Sequence, residues 1–304
     1  MSGRMAPGTA ASSSTRANLS HRRRFLASLA GVGSLALLPG KLQADGQEVR
    51  FGLTPVFLSS DLELLTRLKA YLTASVGRPV ELVMRRTYQE ITALLLSGYL
   101  DAAWICGYPF IQYQDRLSLV AVPIWRGQPL YQSYLIVDRE RPIDDVSDMR
   151  GDIHAFSDPD SNSGYLVTQA LLTAAGEVPS TYFRKTFFTY SHRDVVRAVA
   201  SGLAASGSVD GYVWEVMSEI EPELTSMTRI VRKSEWLGFP PIACAKALRG
   251  KPTTERIAQA LLTMGDDPAG RQVLDILRLD GFTPGDDGLF RGIAQKYDQV
   301  RRLG

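Results

Sequence analysis

From Glu48 onward the chain alternates short apolar runs with amphipathic stretches. Glu48–Leu53 is a buried, alternating run and predicts a first strand. Leu62, Leu65, Leu68, Leu72 and Val76 recur at helical spacing. They follow Ser60-Asp61-Leu62-Glu63, which has the form of a capping box, and Gly77 is placed to stop the helix. Pro79–Met84 is a second strand. Thr87-Tyr88-Gln89-Glu90 then opens a second helix with another capping box, carrying Ile91, Leu94 and Leu95 and stopping at Gly98. Asp101–Cys106 is a third strand. The order β-α-β-α-β is complete by Gly107, as in a parallel sheet covered by helices on both faces.

Leu119–Ile124 and Tyr131–Val137 are extended and lead to a polar break, Asp138-Arg139-Glu140-Arg141-Pro142. A second unit follows: strand Ile153–Phe156, helix Leu166–Ala175, strand Thr186–Thr189, a helix from Arg193 to Leu203, and a strand near Val209–Val213. After Pro240-Pro241, Ile242–Ala247 is extended; Thr253–Met264, Ala269–Leu277 and Leu289–Val300 read as helices. Ligands of open parallel sheets sit beyond the carboxyl ends of the strands. Four such junctions carry side chains able to bind: Arg85–Tyr88, Cys106–Phe110, Asp158–Tyr165 and Tyr190–His192. Two come from each unit, so two lobes facing each other across a cleft would bring them together. The third is the most telling. Pro159 keeps Asp158 out of the helical region, and the Ser/Asn/Gly cluster offers hydroxyls, amides and unhindered N–H groups at a helix start. That is a cradle for an oxyanion.

Charge changes the picture once the first 44 residues are set aside. They contain six Lys and Arg residues and no acid, with a short apolar run, Phe25–Leu38, after Ser20-His21-Arg22-Arg23-Arg24-Phe25-Leu26. This resembles a twin-arginine export signal, with Leu42-Gln43-Ala44 as cleavage site. The whole-chain net charge of +2 includes those six cations, so the remainder is acidic, near −4. No basic stripe with interleaved aromatics is present, which argues against nucleic acid. No other run is long enough for a membrane span, so the expected location is the periplasm, without membrane insertion. His154, inside a strand, reads as a core residue; His192, at a helix start, reads as a ligand contact. Two histidines in the mature chain, with no HExxH, CxxC, GxSxG or Walker pattern, give no basis for an enzyme or a cofactor.

Ser157-Asp158-Pro159-Asp160-Ser161-Asn162-Ser163-Gly164-Tyr165 resembles the Asp-Pro-x-Ser-Thr-Ser-Gly-Tyr/Phe loop of PhnD-type periplasmic phosphate-, phosphite- and phosphonate-binding proteins. Thr87-Tyr88, Asp101-Ala102-Ala103-Trp104, Tyr134-Leu135-Ile136-Val137 at the crossover, Ser191-His192 and Val209-Asp210-Gly211 extend the likeness over the mature chain. The resemblance implies an α/β, two-lobed periplasmic-binding-protein fold of type 2 that closes by a hinge. The expected division is 1–44 as export signal, 45–137 with 239–304 as one lobe, and 138–238 as the other. By position, Tyr88, Cys106, Gly107 and Tyr108 form the first-lobe wall. Ser161, Asn162 and Ser163 bind the oxyanion, His192 faces it, and Glu215 stands where the family has an acid, with Tyr212 and Trp214 crowding it. Cys106, at the cleft end of the third strand, resembles the cysteine of the arsenite-sensing AioX subset and would be the arsenic ligand, since As(III) prefers soft thiolates. The implied function is arsenite sensing for a membrane histidine kinase; the alternative is solute delivery of phosphate, phosphite or phosphonate to an ABC permease. Cys244, on an antiparallel strand beside Asp101–Cys106, falls several residues deeper than Cys106, too far for a disulfide. Two free thiols are expected.

Overall fold

The computed structural model describes residues 48–55 and 62–303. The export segment expected over residues 1–44, and Ser60 and Asp61 of the expected capping box, lie outside the described residues.

Strand β1 (Val49–Leu53), helix α1 (Leu62–Val76), β2 (Val80–Met84), α2 (Tyr88–Leu96) and β3 (Ala102–Trp104) form the expected unit, with β1 parallel to both β2 and β3. Helix α1 buries Leu64, Leu68, Tyr71, Leu72 and Val76. Its apolar face is therefore rotated from the expected stripe, and Leu62 is 78% exposed. Gly77 ends the helix at φ +71°, a left-handed conformation that glycine adopts without strain. The Thr87 capping box forms: the Thr87 hydroxyl accepts the Glu90 N–H, and the Glu90 carboxylate accepts the Thr87 N–H at 3.0 Å. This cap fixes Tyr88 at the carboxyl edge of the sheet. After β3 the chain turns at once into α3 (Gly107–Gln112), with Cys106 in the N-cap position.

Strand β4 (Leu117–Ile124) stays in the first sheet, and β5 (Leu130–Tyr131) leaves it. Strand β6 (Ser133–Asp138) already lies inside the second sheet, so the change of sheet precedes Ser133 and not residue 138. Tyr134–Val137 is thus second-sheet strand and not crossover. The second unit runs β7 (Ile153–Phe156), a turn of π-helix over Asn162–Leu166, α4 (Val167–Ala174), α5 (Pro179–Tyr182), β8 (Lys185–Phe188), α6 (His192–Ala200) and β9 (Ser206–Asp210). The strand expected over Val209–Val213 ends at Asp210. There the Asp210 carboxylate accepts the N–H groups of Tyr212 and Val213 and caps α7 (Gly211–Ile220). Three consecutive apolar residues do not distinguish the two periods. Next come α8 (Pro222–Thr225) and β10 (Thr228–Lys233), an edge strand whose Arg and Lys residues hide it in the sequence.

The chain returns through β11 (Leu237–Gly238), which pairs antiparallel with β5, into β12 (Ile242–Ala245), α9 (Pro252–Leu262), α10 (Pro268–Leu277), β13 (Gly281–Thr283) and α11 (Arg291–Leu303). The sheet orders are β13-β4-β12-β3-β1-β2 and β10-β6-β9-β7-β8. Each sheet with its helices is one lobe. The main apolar core is continuous from the first sheet through Tyr131, Leu237 and Phe239 to Val196, Tyr212 and Val213 of the second lobe. Helix α11 also touches both lobes: Tyr297 packs on Tyr108, with ring centres 5.6 Å apart, and Gln299 donates to the Ala170 carbonyl.

Strand β12 is antiparallel to β3, with Ile242 opposite Trp104 and Ala243 opposite Ala103, so Cys244 runs away from the cleft while Cys106 lies at it. Both cysteines are free and buried. Denatured, unreduced mature protein should therefore titrate two thiols per chain with a disulfide-exchange reagent; a count of zero would refute the pairing geometry.

Candidate functional site

The four junctions meet where the lobes touch. Tyr88 starts α2, Cys106 links β3 to α3, Asn162–Gly164 follow β7, and His192 starts α6. Three hydrogen bonds at these junctions run from one lobe to the other. The Asn162 N–H donates to Cys106 Sγ at 3.1 Å, the Tyr88 N–H donates to Asp158 Oδ2 at 3.2 Å, and the Tyr88 hydroxyl lies 3.3 Å from His192 Nε2. Every residue in these contacts is buried.

The proton on His192 can be placed. Its Nδ1 lies 3.0 Å from the Asp210 backbone N–H, which can only donate, so Nδ1 is the acceptor. Burial pushes the imidazole down to about 3, so it is neutral at pH 7 and carries its hydrogen on Nε2. Nε2 then donates to the Tyr88 oxygen and leaves the Tyr88 hydrogen free to point elsewhere. His154, by contrast, is a core residue: its ring nitrogens meet Ser206 and Ser208 hydroxyls at 2.8 Å each, and it stacks on Phe183.

The turn at Asn162–Leu166 is built for close approach. Ser161 Oγ accepts the Gly164 N–H at 3.0 Å, and the Leu166 N–H reaches back to the Ser161 carbonyl, closing the wider π-type turn. The Ser133 hydroxyl donates to the Ser163 carbonyl at 2.6 Å from behind. Asn162 donates its amide to the Tyr131 hydroxyl at 2.8 Å, while its Oδ1 is buried without a partner, as is Ser157 Oγ. Such atoms are uncommon in a packed interior.

Electrostatically the cluster is acidic. Burial raises Asp158 to about 6 and Asp210 to about 7, against the hydrogen bonds that favour their ionised forms. Burial also pushes the Cys106 thiol up to about 12, although the backbone N–H groups of Asn162 and Tyr108 pull the other way, so the sulfur carries its proton at neutral pH. Among the described residues, no lysine or arginine is ion-paired to Asp158 or Asp210.

The other expected site residues take different roles. Glu215 is held by the Tyr134 hydroxyl at 2.8 Å and by Arg126 and Lys233 at 3.2 and 3.6 Å. Burial opposes its ionisation, but these partners outweigh it and hold the carboxyl below the usual range. Trp214 donates its indole N–H to Thr228 and packs on Tyr134. Neither shares a hydrogen bond with the cluster: Glu215 and Trp214 sit on α7, one turn beyond Asp210. Gly107 is a packing position, since a Cβ there would come within 2.6 Å of Ile293 Cδ1. Tyr108 turns its ring onto Tyr297 and brings only its backbone to the sulfur.

Tyr131 and Asp210 are members that sequence reasoning did not assign. Asp210 had a readable signal, an acid closing a strand just before glycine, which is an N-cap pattern. Tyr131 lies on a two-residue strand and had none. A cavity of about 520 Å³ lies outside the cluster, between α1 and the β2–α2 junction, walled by Leu64, Leu68 and Met84. Among the described residues, no group of three or more His, Cys, Asp and Glu residues could hold a metal ion, and no helix is long and apolar enough to cross a membrane.

Two α/β lobes, crossed twice by the chain and meeting at a small-residue turn, define a periplasmic-binding protein fold of type 2. Residues 51–290 match the family described as the periplasmic substrate-binding protein of phosphonate ABC transporters, and the chain belongs to that family. The phosphonates-binding periplasmic protein of Escherichia coli K12 is 24% identical over 266 residues, spanning 84% of this chain and 78% of that protein. Among solved structures, a binding-protein component of a phosphonate ABC transporter from Pseudomonas aeruginosa superposes with a TM-score of 0.78 at 20% identity, over 85% of this chain and 88% of that one. PhnD1 of Prochlorococcus marinus, in complex with methylphosphonate, gives 0.75 at 17%, over 84% and 98%.

Proposed function

We propose that the mature chain is a periplasmic receptor that binds one small oxyanion or its acid between the lobes and presents the closed form to an ABC permease. The observation that carries this reading is the buried network joining Tyr88 and Cys106 of one lobe to Asp158, Asn162 and His192 of the other. A ligand bridging these groups stabilises closure, and closure is what a membrane partner reads. The family membership supports a phosphorus oxyacid as ligand.

One observation favours a second reading. The Cys106 sulfur accepts the Asn162 N–H, a donor that the importer reading would offer to a ligand oxygen. A protonated thiol there suits arsenous acid. Condensation forms one S–As bond and breaks one As–O bond, and the thiol proton leaves with the hydroxide as water, with no change in oxidation state. In this reading the closed form reports arsenite to a membrane histidine kinase. The two readings separate by calorimetry of reduced, signal-free protein with phosphite, methylphosphonate and arsenite, comparing wild type with Cys106→Ser. The importer reading expects saturable phosphite or methylphosphonate binding that survives the substitution with less than a tenfold change. Arsenite binding abolished by the substitution, without phosphorus oxyanion binding, would replace it with the sensor reading.

A further inference from the structure

We propose that Asp210 sets the specificity of the cleft by sharing one proton with the bound oxyacid, so that the site takes ligands bearing a hydroxyl hydrogen and turns away fully ionised ones. This rests on the interlobe cluster being the ligand site.

The first support is the hydrogen-bond inventory. Asp210 Oδ1 is committed to the Tyr212 and Val213 N–H groups at 2.9 and 3.2 Å, whereas Oδ2 has only the Ser163 hydroxyl, at 3.5 Å. Asn162 Oδ1, fully buried, has no partner. Both are acceptors, and both lie at the Asn162–Ser163 turn. With Asp210 ionised, a ligand seated there must bring a hydrogen to at least one of them, as a hydroxyl-bearing acid does and a bare oxyanion does not.

The second support is the charge around Asp210. The groups facing it are His192 from α6, Tyr212 from α7, Tyr88 and Cys106 from the first lobe, Tyr131 from the crossover and Tyr134 from β6. Burial raises the tyrosines and the thiol and lowers the imidazole, so all six are neutral at pH 7. Asp158, the other buried acid, adds to the negative side and takes the Tyr88 and Asp160 N–H groups. With no cation paired to either carboxylate, an ionised Asp210 and an ionised ligand oxygen cannot both be buried there. One proton between them removes the conflict, whichever oxygen it resides on.

The test is isothermal calorimetry with inorganic phosphite at pH values from about 6 to about 9, in buffers of different ionisation enthalpy. Wild-type affinity should fall about tenfold per pH unit once phosphite loses its second proton, with about one proton taken up per ligand bound in that range. Asp210→Asn keeps a side-chain oxygen for the α7 cap and should remove both the slope and the uptake. Methylphosphonate should behave as phosphite does, and arsenite, neutral over most of this range, should bind without proton uptake. Phosphite affinity independent of pH, or an unchanged slope in Asp210→Asn, overturns the proposal while leaving the site in place. If folded protein binds none of the three probes at any pH, the cluster is not the ligand site and the proposal falls with it.

Discussion

Gly164→Ala should abolish oxyanion binding and lower the unfolding free energy by about 1–3 kcal/mol. The cause is space. A Cβ at Gly164 would lie 2.7 Å from Ser157 Cβ, nearer still to Ser157 Oγ, and 3.0 Å from His192 Cε1. None of these can yield cheaply. Ser157 directly follows β7 and is buried, and its backbone carbonyl also accepts the Tyr190 N–H. His192 is fixed by the Asp210 N–H on one side and the Tyr88 hydroxyl on the other. Displacing the imidazole would therefore pull on a contact between lobes, and a small local clash becomes a loss of closure. Denaturant unfolding and calorimetry check the two effects separately. Adding Ser157→Gly should recover part of the stability, because it vacates the nearest atoms. A Gly164→Ala protein with wild-type midpoint and affinity would mean the turn is looser than its geometry.

Asp210→Asn should stabilise the ligand-free protein at pH 8 and leave it unchanged near pH 4. Folding raises the Asp210 carboxyl from 3.8 to about 7 through burial. Between those values the folded state holds a proton that the unfolded state has released, so this residue's contribution falls as pH rises and is least favourable above about 7. A shift of this size corresponds to on the order of 4 kcal/mol. Asp158, raised to about 6, acts in the same direction over a narrower window. His154 and His192, both depressed to about 3, act in the opposite one: their contribution is complete above 6.5 and is lost as pH falls toward 3. The wild-type profile is therefore nearly level across the shared range, and only the difference between variant and wild type isolates Asp210. That difference, from urea unfolding at several pH values, should grow from pH 4 to about 7 and then level off. A constant difference would contradict the burial of an uncompensated carboxyl.

The sequence carried the first lobe's order and the cradle turn because both are written in local signals: helical spacing, capping boxes, and the Pro/Ser/Asn/Gly punctuation after Phe156. It misplaced elements whose cause is tertiary. Strand β10, rich in Arg and Lys, owes its conformation to pairing with β6, and α7 owes its start to an aspartate that first reads as part of a strand. Glu215 illustrates the limit for the site. A carboxylate near the end of a strand has the right chemistry, but a helix start turns it toward Arg126 and Lys233. Tyr131 could not be found by pattern, because it joins the cluster only when β5 pairs with β11.

That two-residue ladder has a mechanical consequence. The chain passes between the lobes twice, once on each strand of the ladder, with Tyr131 and Phe239 side by side, their ring centres 5.6 Å apart. A body hung on two adjacent pins turns about one axis, whereas a body on a single tether swivels. The paired strands thereby favour one angle of relative lobe motion, and helix α11, which touches both lobes, restrains it further. In the proposed receptor, a membrane partner would then read a single shape and need not recognise the ligand at all.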